Sequence, residues 1–296
     1  MKQEIIIRKE FDLTNQDQCF LDFIDVSQKT RETYKANLKP FMLYLKKNQI
    51  TQPTREDIIN YRKKITETLK PTTINSYMIV VRQFFGWLEY MRLYPNIAEK
   101  IKGAKIQNTH RKKALSKEQV KQIIGNAKSL RDKCLLKLLF TTGMRSNEIE
   151  HSCIEDIKEI NGKHILYILS KGKREKTDFV ILNESLYNDL KAYIGERTNG
   201  SIFISIRCKK SQIGLKNRQI RGIVKQYLKE IGLDSEEYSC HSTRHTFINL
   251  AFELGNDLYS VSQEARHNSI RTTQIYLEEY NKLNSNISNQ VAELFD

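Results

Sequence analysis

Two histidines and an arginine lie within five positions of each other in the stretch SCHSTRHTFINL, which begins at Ser239. They are His241, Arg244 and His245. A zinc site is one interpretation, because side chains four residues apart share a face of a helix. No HExxH motif and no paired cysteines supply further ligands, so we predict no metal here. Two interpretations remain: a helix that begins with polar caps and a packed histidine, or half of a site for a phosphate.

Three other segments carry residue types suited to phosphate chemistry. In TTGMRSNEIE, Arg145 follows a Thr-Thr-Gly break, and Glu148 comes one helical turn later, where it can orient the guanidinium. In SKGKREK, Lys171 follows a predicted strand, and in EARHNSIRTTQIY, Tyr276 follows His267 by nine residues. Each segment alone also fits an ordinary structural role: a surface ion pair, a solvated basic turn, or a core aromatic.

Taken together and in this order, the four segments resemble the tyrosine recombinase (phage integrase) family of site-specific recombinases. The family pattern is an arginine in T-G-x-R-x-x-E, a lysine in a β-hairpin, H-x-x-R-H, and a histidine or tryptophan followed nine residues later by a tyrosine. The resemblance extends to two predicted helical segments near the start of the chain, KTRETYKANLKPFMLYL and LKPTTINSYMIVVRQFFGWL. It implies an active site supported by Glu148 and composed of Arg145, Lys171, His241, Arg244, His267 and Tyr276.

One position departs from the family pattern. The family commonly has Leu-Gly before the histidine that stands here as His267, whereas this chain has Ala265 and Arg266. Glycine can supply a positive φ that ends a helix, and arginine adopts that conformation less readily. We therefore expect the local turn to differ, and we name Arg266 as a candidate DNA contact.

The chemistry of a phosphodiester explains why these residue types occur together. Attack by an oxygen creates a five-coordinate state with extra charge on the non-bridging oxygens, and fixed donors there lower the barrier. Arg145 and Arg244 offer planar forks that stay charged, while His241 and His267 can move the nucleophile's proton. A tyrosine hydroxyl, with an ordinary pKa of about 10, becomes a nucleophile only among such groups. Because the arginines take the role of a metal ion, we predict no metal and no cofactor.

The resemblance also implies what the enzyme does. It implies conservative cutting and rejoining of double-stranded DNA at a specific recombination site, through a 3′-phosphotyrosine, by a homotetramer that passes through a Holliday junction. Lys171 would be the general acid for the departing 5′ oxygen, with Lys173 as its neighbouring competitor, and His245 would pack or cap. Accessory or directionality proteins are further expected partners. The sequence leaves open whether the role is integration and excision of a mobile element, chromosome-dimer resolution, or inversion.

Two alternative functions remain for the same residues. A type IB topoisomerase shares the chemistry but relaxes supercoils as a monomer. A repressor or architectural factor would use the scaffold to bind DNA without catalysis, although the chain retains both arginines and the tyrosine.

The elements that must position these residues form two predicted domains. Helices are predicted at 14–26, 29–48, 54–68 and 71–91, with a capping box at Thr54 and Asp57 and with Pro71 at a helix start. The polar stretch KGAKIQNTHRKKA separates a helical core-binding domain, 1–108, from a catalytic domain, 109–296. The second domain is predicted as helical to about 140, then as a hairpin of strands 164–169 and 177–182, then as helical from 215 onward, with Gly232 and Gly255 ending helices. The fold class is mainly α with a small antiparallel sheet.

The charge of the chain points to a polyanionic partner. Lys and Arg number 49 against 35 Asp and Glu, a net charge of +14. Residues 1–108 contain 19 basic and 12 acidic side chains and the remainder 30 and 23, so each predicted domain carries +7. Two basic domains suit binding of duplex DNA through its phosphates.

Cysteine usage and hydropathy bear on the compartment. The five cysteines are scattered, without a CxxC pair, and no apolar run approaches the roughly 20 residues that cross a bilayer. We expect a soluble cytoplasmic protein that associates with the nucleoid and has no membrane partner. The few residues before the first helix predict no large extra arm-binding domain.

The end of the chain is predicted to be a partner helix, and the alternative is that its apolar face folds back on its own domain. Apolar residues recur there at helical spacing on one face, which resembles the family's C-terminal segment that docks on a neighbouring protomer. They are Leu283, Ile287, Val291, Leu294 and Phe295.

Overall fold

The structure, a computed structural model, describes residues 13–105, 112–205 and 213–295. The chain divides into two compact units, Met1–Thr109 and His110–Asp296. The described residues are mostly helical, with one three-stranded antiparallel sheet, so the predicted fold class is confirmed. Within the described ranges, no helix combines the length and the apolar character that crossing a membrane would need.

Among its described residues, the first unit contains four helices that follow a short 3₁₀ turn. They are α1 (Asp17–Phe23), α2 (Gln28–Lys47), α3 (Arg55–Thr66) and α4 (Pro71–Tyr90). The predicted capping box is present, since the Thr54 side chain accepts from the Asp57 amide and Asp57 accepts from the Thr54 amide. Pro71 is the first residue of α4, where its missing N–H has no partner to lose. The first predicted helix is shorter than expected and ends at Phe23.

Aromatic side chains from several helices fill the core of the first unit. Phe20, Phe41, Phe84 and Phe85 are each no more than 1% exposed. Phe84 packs edge-on against Phe20, with ring centroids 5.5 Å apart, and against Phe85 at the same distance. Burial of one such ring stabilises a fold by about 1.5–3 kcal/mol, so the apolar face of α4 holds this unit together.

The second unit contains nine helices within the described residues and the sheet. In chain order they are α5 (Lys117–Gly125), α6 (Leu130–Thr142), α7 (Ser146–Glu150), β1 (Ile157–Ile160), β2 (Lys163–Ile168), β3 (Asp178–Leu182), α8 (Glu184–Ile194), α9 (Asn217–Glu230), α10 (Cys240–Glu253), α11 (Leu258–Glu264), α12 (Ile270–Leu283) and α13 (Ile287–Ala292).

The sheet has the strand order β1-β2-β3, with Leu166 opposite both Ile157 and Val180. Strands β2 and β3 are the predicted hairpin, and the turn between them carries Lys171. Strand β1 was not predicted. Its sequence IKEI has no fully buried residue, so the alternation that reveals a half-buried strand is weak.

Helix α6 ends in a sharp turn that begins the site region. Its C-cap is Gly143, with a φ of 60°. A Cβ atom at this position would lie 2.6 Å from the Phe247 ring, so both the backbone conformation and the close packing require glycine. The turn ends α6 and starts α7 three residues later, which places Arg145 directly before the new helix.

The predicted C-terminal helix is divided in two. Helix α12 ends at Leu283, and α13 begins only at Ile287. The apolar residues of the predicted face are exposed: Leu283 by 80%, Ile287 by 66%, Val291 by 45%, Leu294 by 78% and Phe295 by 83%. The segment therefore does not fold back on its own unit.

Candidate active site

Glu148 holds Arg145 through both its main chain and its side chain. One carboxylate oxygen accepts from Nη1 of Arg145 at 2.7 Å, and the other accepts from the Arg145 backbone N–H at 2.8 Å. Glu148 is 1% exposed, whereas the Arg145 side chain is 26% exposed. A buried charge-assisted pair of this kind fixes the guanidinium while leaving part of it accessible to a ligand.

Arg244 is the largest fully buried side chain among the described residues. Its Nη1 donates to the carbonyl oxygen of Gly143 at 2.7 Å, and its Nη2 donates to the carbonyl of Ala265. Burial, with the charges of Arg145 and Arg266 adding, lowers its pKa to about 9. Arg244 thus remains protonated at neutral pH and is held rigidly by backbone acceptors from two other segments.

The turn after α11 connects the two predicted arginines. Arg244 donates to the carbonyl of Ala265, and Nη2 of Arg145 donates to the carbonyl of Arg266 at 3.3 Å. Two consecutive peptide carbonyls therefore fix two guanidinium groups that are 99 positions apart in the sequence. The arrangement brings Arg145 and Arg244 to one place.

Arg266 differs from expectation in its backbone conformation and in the position of its side chain. Its φ is 53°, so the left-handed turn that glycine would favour is present with arginine in that position. Its side chain is only 8% exposed and lies against protein: Nη2 is 3.4 Å from Oε2 of Glu148, and both Nη atoms are 3.3 Å from the carbonyl of Thr142. The side chain named above as a candidate DNA contact therefore points inward to Glu148.

The two predicted histidines lie beside the arginines. His241 is in the first turn of α10, which Ser239 caps. Its pKa is lowered by desolvation and by the charges of Arg244 and Arg145, although part of the residue reaches solvent. His267 is more deeply placed, and burial followed by the same two charges lowers its pKa to about 4. Both rings are neutral at pH 7 and can take part in proton transfer.

A third histidine, His245, contacts the predicted nucleophile. Its Nε2 is 3.2 Å from the hydroxyl oxygen of Tyr276, and its ring packs edge-on against His241 with centroids 4.7 Å apart. The ring of His267 is nearly parallel to that of Tyr276, at 6.3 Å, and its Nδ1 bonds Thr273 at 2.6 Å. The sequence interpretation gave His245 only packing or capping. The four-residue spacing from His241 was the available signal for a shared face.

The hairpin lysines are distinguished by their partners. Nζ of Lys173 is 2.7 Å from Asp178 and 3.0 Å from the Thr177 hydroxyl, and Nζ of Lys176 is 2.5 Å from Asp156. Lys171 is exposed and, within the described part of the chain, its amine forms no hydrogen bond or ion pair, including with the other predicted site residues. Of these three lysines it is the one available to a ligand.

No resident metal can be assigned in the described ranges. They contain no group of three or more His, Cys, Asp or Glu side chains placed to hold an ion. The residues gathered around Tyr276 are instead donors and neutral rings, a set suited to an anion.

Comparison with known proteins gives consistent matches over both units. The profile of the phage integrase family matches residues 113–282, and that of the phage integrase N-terminal SAM-like domain matches residues 22–90. Tyrosine recombinase XerA of Pyrococcus horikoshii is 26% identical over 87% of this chain and 86% of its own length. Tyrosine recombinase XerC of Thermodesulfovibrio yellowstonii is 27% identical over 90% of this chain and 91% of its own.

A solved structure shares the fold. The XerH site-specific recombinase in its post-cleavage complex with a palindromic difH substrate has a TM-score of 0.69, with 22% identity. The match covers 90% of this chain and 80% of that one.

Proposed function

Because the chain belongs to the phage integrase family, we propose that it is a site-specific DNA recombinase that cuts and rejoins strands through Tyr276. The relatives named above are tyrosine recombinases, and a structural neighbour is held on its recombination DNA after cleavage. The same substrate class is proposed here: double-stranded DNA at a specific site. The net charge of +14 agrees with a phosphate-rich partner.

The observation that carries the proposal is the position of Tyr276 beside a cluster of cationic donors. Its hydroxyl contacts His245, and its ring is nearly parallel to that of His267. Tyr276 is also close enough to Arg244 to affect the pKa of that guanidinium. Arg145 and Arg244, fixed through the carbonyls of the turn after α11, supply planar forks for the non-bridging oxygens of a phosphodiester. The same guanidiniums would stabilise the additional charge of the five-coordinate state.

The proposed cleavage step exchanges one phosphate ester bond for another. The Tyr276 oxygen forms a bond to phosphorus, and the bond between phosphorus and the 5′ oxygen breaks, which leaves a 3′-phosphotyrosine. The phenolic proton passes to His245, the imidazole in contact with the Tyr276 hydroxyl. Lys171 gives a proton to the departing 5′ oxygen. Rejoining is the reverse, with a 5′ hydroxyl attacking the phosphotyrosine, so the energy of the ester is retained and no ATP is consumed.

Further parts of the proposal rest on the family resemblance. These are the 3′ polarity of the link, a homotetramer on paired sites, a Holliday-junction intermediate, accessory or directionality proteins, and association with the nucleoid in the cytoplasm. The assignment of residues 1–108 as a core-binding domain and 109–296 as the catalytic domain belongs with them. Its boundary lies between the two matched family profiles, which end at residue 90 and begin at residue 113.

The test is to trap and sequence the DNA that becomes covalently bound. The protein is incubated with fragmented genomic DNA of its host, denatured, and recovered with any DNA linked to Tyr276. One recurring site, linked through its 3′ phosphate, is expected, and its location also identifies the biological role. No covalent DNA from the wild-type protein would contradict the proposal and favour a non-catalytic DNA-binding protein.

The topoisomerase alternative has its own measurement. Supercoiled plasmid that lacks the recovered site should stay supercoiled, because a recombinase cleaves efficiently only within an assembled site. Rapid relaxation of that plasmid by protein monomers would favour the topoisomerase instead.

A further inference from the structure

We propose that Arg266 is a positioning residue of the active site, which shares the Glu148 carboxylate with Arg145 and so fixes the geometry of the phosphate clamp. This inference rests on the proposed function. It concerns a position where the family pattern has glycine, so the resemblance assigns no role to this side chain. The observation behind it is a triad in which the buried Glu148 carboxylate pairs with both Arg145 and Arg266.

The contacts of Arg266 divide between its main chain and its side chain. The main-chain carbonyl accepts from Nη2 of Arg145 at 3.3 Å. The side chain reaches past that contact, so that its Nη2 lies 3.4 Å from Oε2 of Glu148, the same oxygen that accepts from the Arg145 amide. Arg266 thus touches Arg145 directly through its carbonyl and indirectly through Glu148. A glycine would keep the first connection and lose the second.

The conformation of Arg266 has an energetic cost that its contacts must offset. A φ of 53° is unfavourable for a residue with a Cβ atom. Its Nε–H is also buried without an acceptor among the described residues, which is unfavourable as well. Bonds from the guanidinium to Thr142, Glu264 and Glu148 hold the side chain in place against these costs.

Arg266 also changes the net charge around the proposed phosphate site. Without Arg266, Arg145 and Arg244 face one buried carboxylate, which leaves a net charge of one positive unit. With Arg266 the cluster holds three guanidiniums and one carboxylate, a net charge of two. Because Arg266 shares the negative charge of Glu148, more of the positive charge of Arg145 is left for the phosphodiester. The phosphodiester gains negative charge as the tyrosine attacks, so this charge stabilises the transition state more than the bound substrate.

The Arg266 side chain is too deeply buried to bind DNA directly. The side chain is 8% exposed, and its Nη atoms point to acceptors inside the protein. We therefore expect Arg266 to affect the rate of cleavage on saturating DNA and to leave the affinity for DNA unchanged.

The decisive variant is Arg266→Gly, because glycine adopts the left-handed turn without strain and retains the carbonyl that Arg145 uses. The measurements are the single-turnover rate of covalent complex formation at saturating site DNA and, separately, the dissociation constant. We expect the rate to fall about tenfold or more and the dissociation constant to stay within about twofold. Arg266→Lys, which keeps the charge in the same backbone conformation, should recover part of the rate.

A matched control is available in the other unit. Arg92 is an exposed arginine with a φ of 58°, so Arg92→Gly makes the same chemical change in the same backbone region. Its cleavage rate on saturating DNA should equal that of the wild type. A melting temperature measured for each variant distinguishes a misfolded protein from a slow one.

A double-mutant cycle tests whether Arg266 acts through Glu148. If it does, adding Arg266→Gly to Glu148→Gln should slow cleavage by much less than it slows the wild-type protein. Independent, multiplicative losses would overturn the inference, as would a wild-type rate in Arg266→Gly or a parallel loss of DNA affinity. A wild-type protein that forms no covalent complex would instead overturn the proposed function, and the inference with it.

Discussion

Nε2 of His245 lies 3.2 Å from the hydroxyl oxygen of Tyr276, although the two residues are 31 positions apart. The contact exists because α12 packs across α10, which also brings the rings within 4.9 Å of each other. An imidazole nitrogen at this distance can accept the phenolic proton or hold the hydroxyl in the attacking orientation. His245 therefore joins the residues that resemblance to the family implied.

Replacement of His245 should slow cleavage without weakening DNA binding. His245→Ala removes the group in contact with Tyr276, the proposed nucleophile, and a loss of about 100-fold in the single-turnover cleavage rate is expected. His245→Gln, whose amide nitrogen can occupy the position of Nε2, should retain more of the rate. Gel-based measurement of covalent complex formation over time checks both variants. A wild-type rate in His245→Ala would show that the contact has no part in the reaction.

Tyr276, and not Tyr280, is expected to form the covalent link. Tyr280 is one turn further along α12, where its ring stacks on Phe252 with centroids 6.4 Å apart, whereas the Tyr276 hydroxyl contacts Nε2 of His245. Tyr276→Phe should bind DNA with wild-type affinity and form no adduct, because only the attacking oxygen is removed. Tyr280→Phe is the matched control and should still form the adduct. The opposite pattern would reverse the assignment.

The arrangement of the candidate site residues could be anticipated only in part from the sequence. The sequence alone shows the types and order of Arg145, Arg244 and Tyr276. Helical periodicity predicts most of the helices. The contact of His245 with Tyr276 depends on how α10 and α12 cross, which no local pattern encodes. The same holds for the shared carbonyls of residues 265 and 266, since each meets an arginine from a distant segment.

Arg266 shows how tertiary contacts can override a local preference. Propensity alone disfavours arginine at positive φ, and it led to the expectation of an altered turn. The structure keeps the turn because the guanidinium bonds Thr142 and Glu148. Strand β1 was missed for a related reason: its pairing with β2, rather than its own composition, makes it a strand.

The low pKa of His267 predicts a dependence of stability on pH. Its pKa of about 4 in the folded protein lies below the value of about 6.5 expected in the unfolded chain. Between these values the unfolded chain binds more protons, so the free energy of unfolding falls as the pH is lowered from about 6.5 toward 4. The contribution of one such group is at most about 1.4 kcal/mol per pH unit. His241, whose pKa is also lowered, acts in the same direction.

His267→Asn isolates that contribution, because the amide can still bond Thr273 but does not titrate. Melting temperatures of the variant and the wild type, compared from pH 7 to pH 4.5, should converge or cross as the pH falls. Equal pH slopes for both proteins would show that His267 is not the titrating group.

Lys171 is predicted to protonate the 5′ oxygen as it leaves. An alkoxide is a poor leaving group, and the Lys171 amine is not engaged within the described residues, whereas that of Lys173 is held by Asp178. Lys171→Ala should lose cleavage of ordinary DNA. It should regain cleavage of a substrate whose bridging 5′ oxygen is sulfur, because a thiolate leaves without a proton.

Lys173→Ala is the control for that experiment and should cleave both substrates. If Lys171→Ala is equally slow on oxygen and sulfur, Lys171 binds the phosphate and is not the acid. Rescue of Lys173→Ala by sulfur would exchange the roles of the two lysines.

The exposed C-terminal segment is predicted to join protomers on DNA. Its apolar side chains are exposed to water, which is unfavourable. An apolar pocket of about 400 Å³ lies on the second unit between Phe247, Leu254 and Val261. Burying Leu294 and Phe295 of one protomer against such a surface on another would stabilise the assembly by about 1.5–3 kcal/mol for each side chain.

Truncation after Lys282 should therefore leave binding of one protomer to a half-site unchanged and abolish cooperative binding to the full site. The full-length double variant Leu294→Ser and Phe295→Ser should behave like the truncation, because it removes only apolar surface. The pair Ser288→Ala and Gln290→Ala, in the same segment, is the control and should assemble normally. Gel shifts on half-site and full-site DNA separate the two steps. Unchanged cooperativity in the truncated protein would mean that other surfaces hold the protomers together.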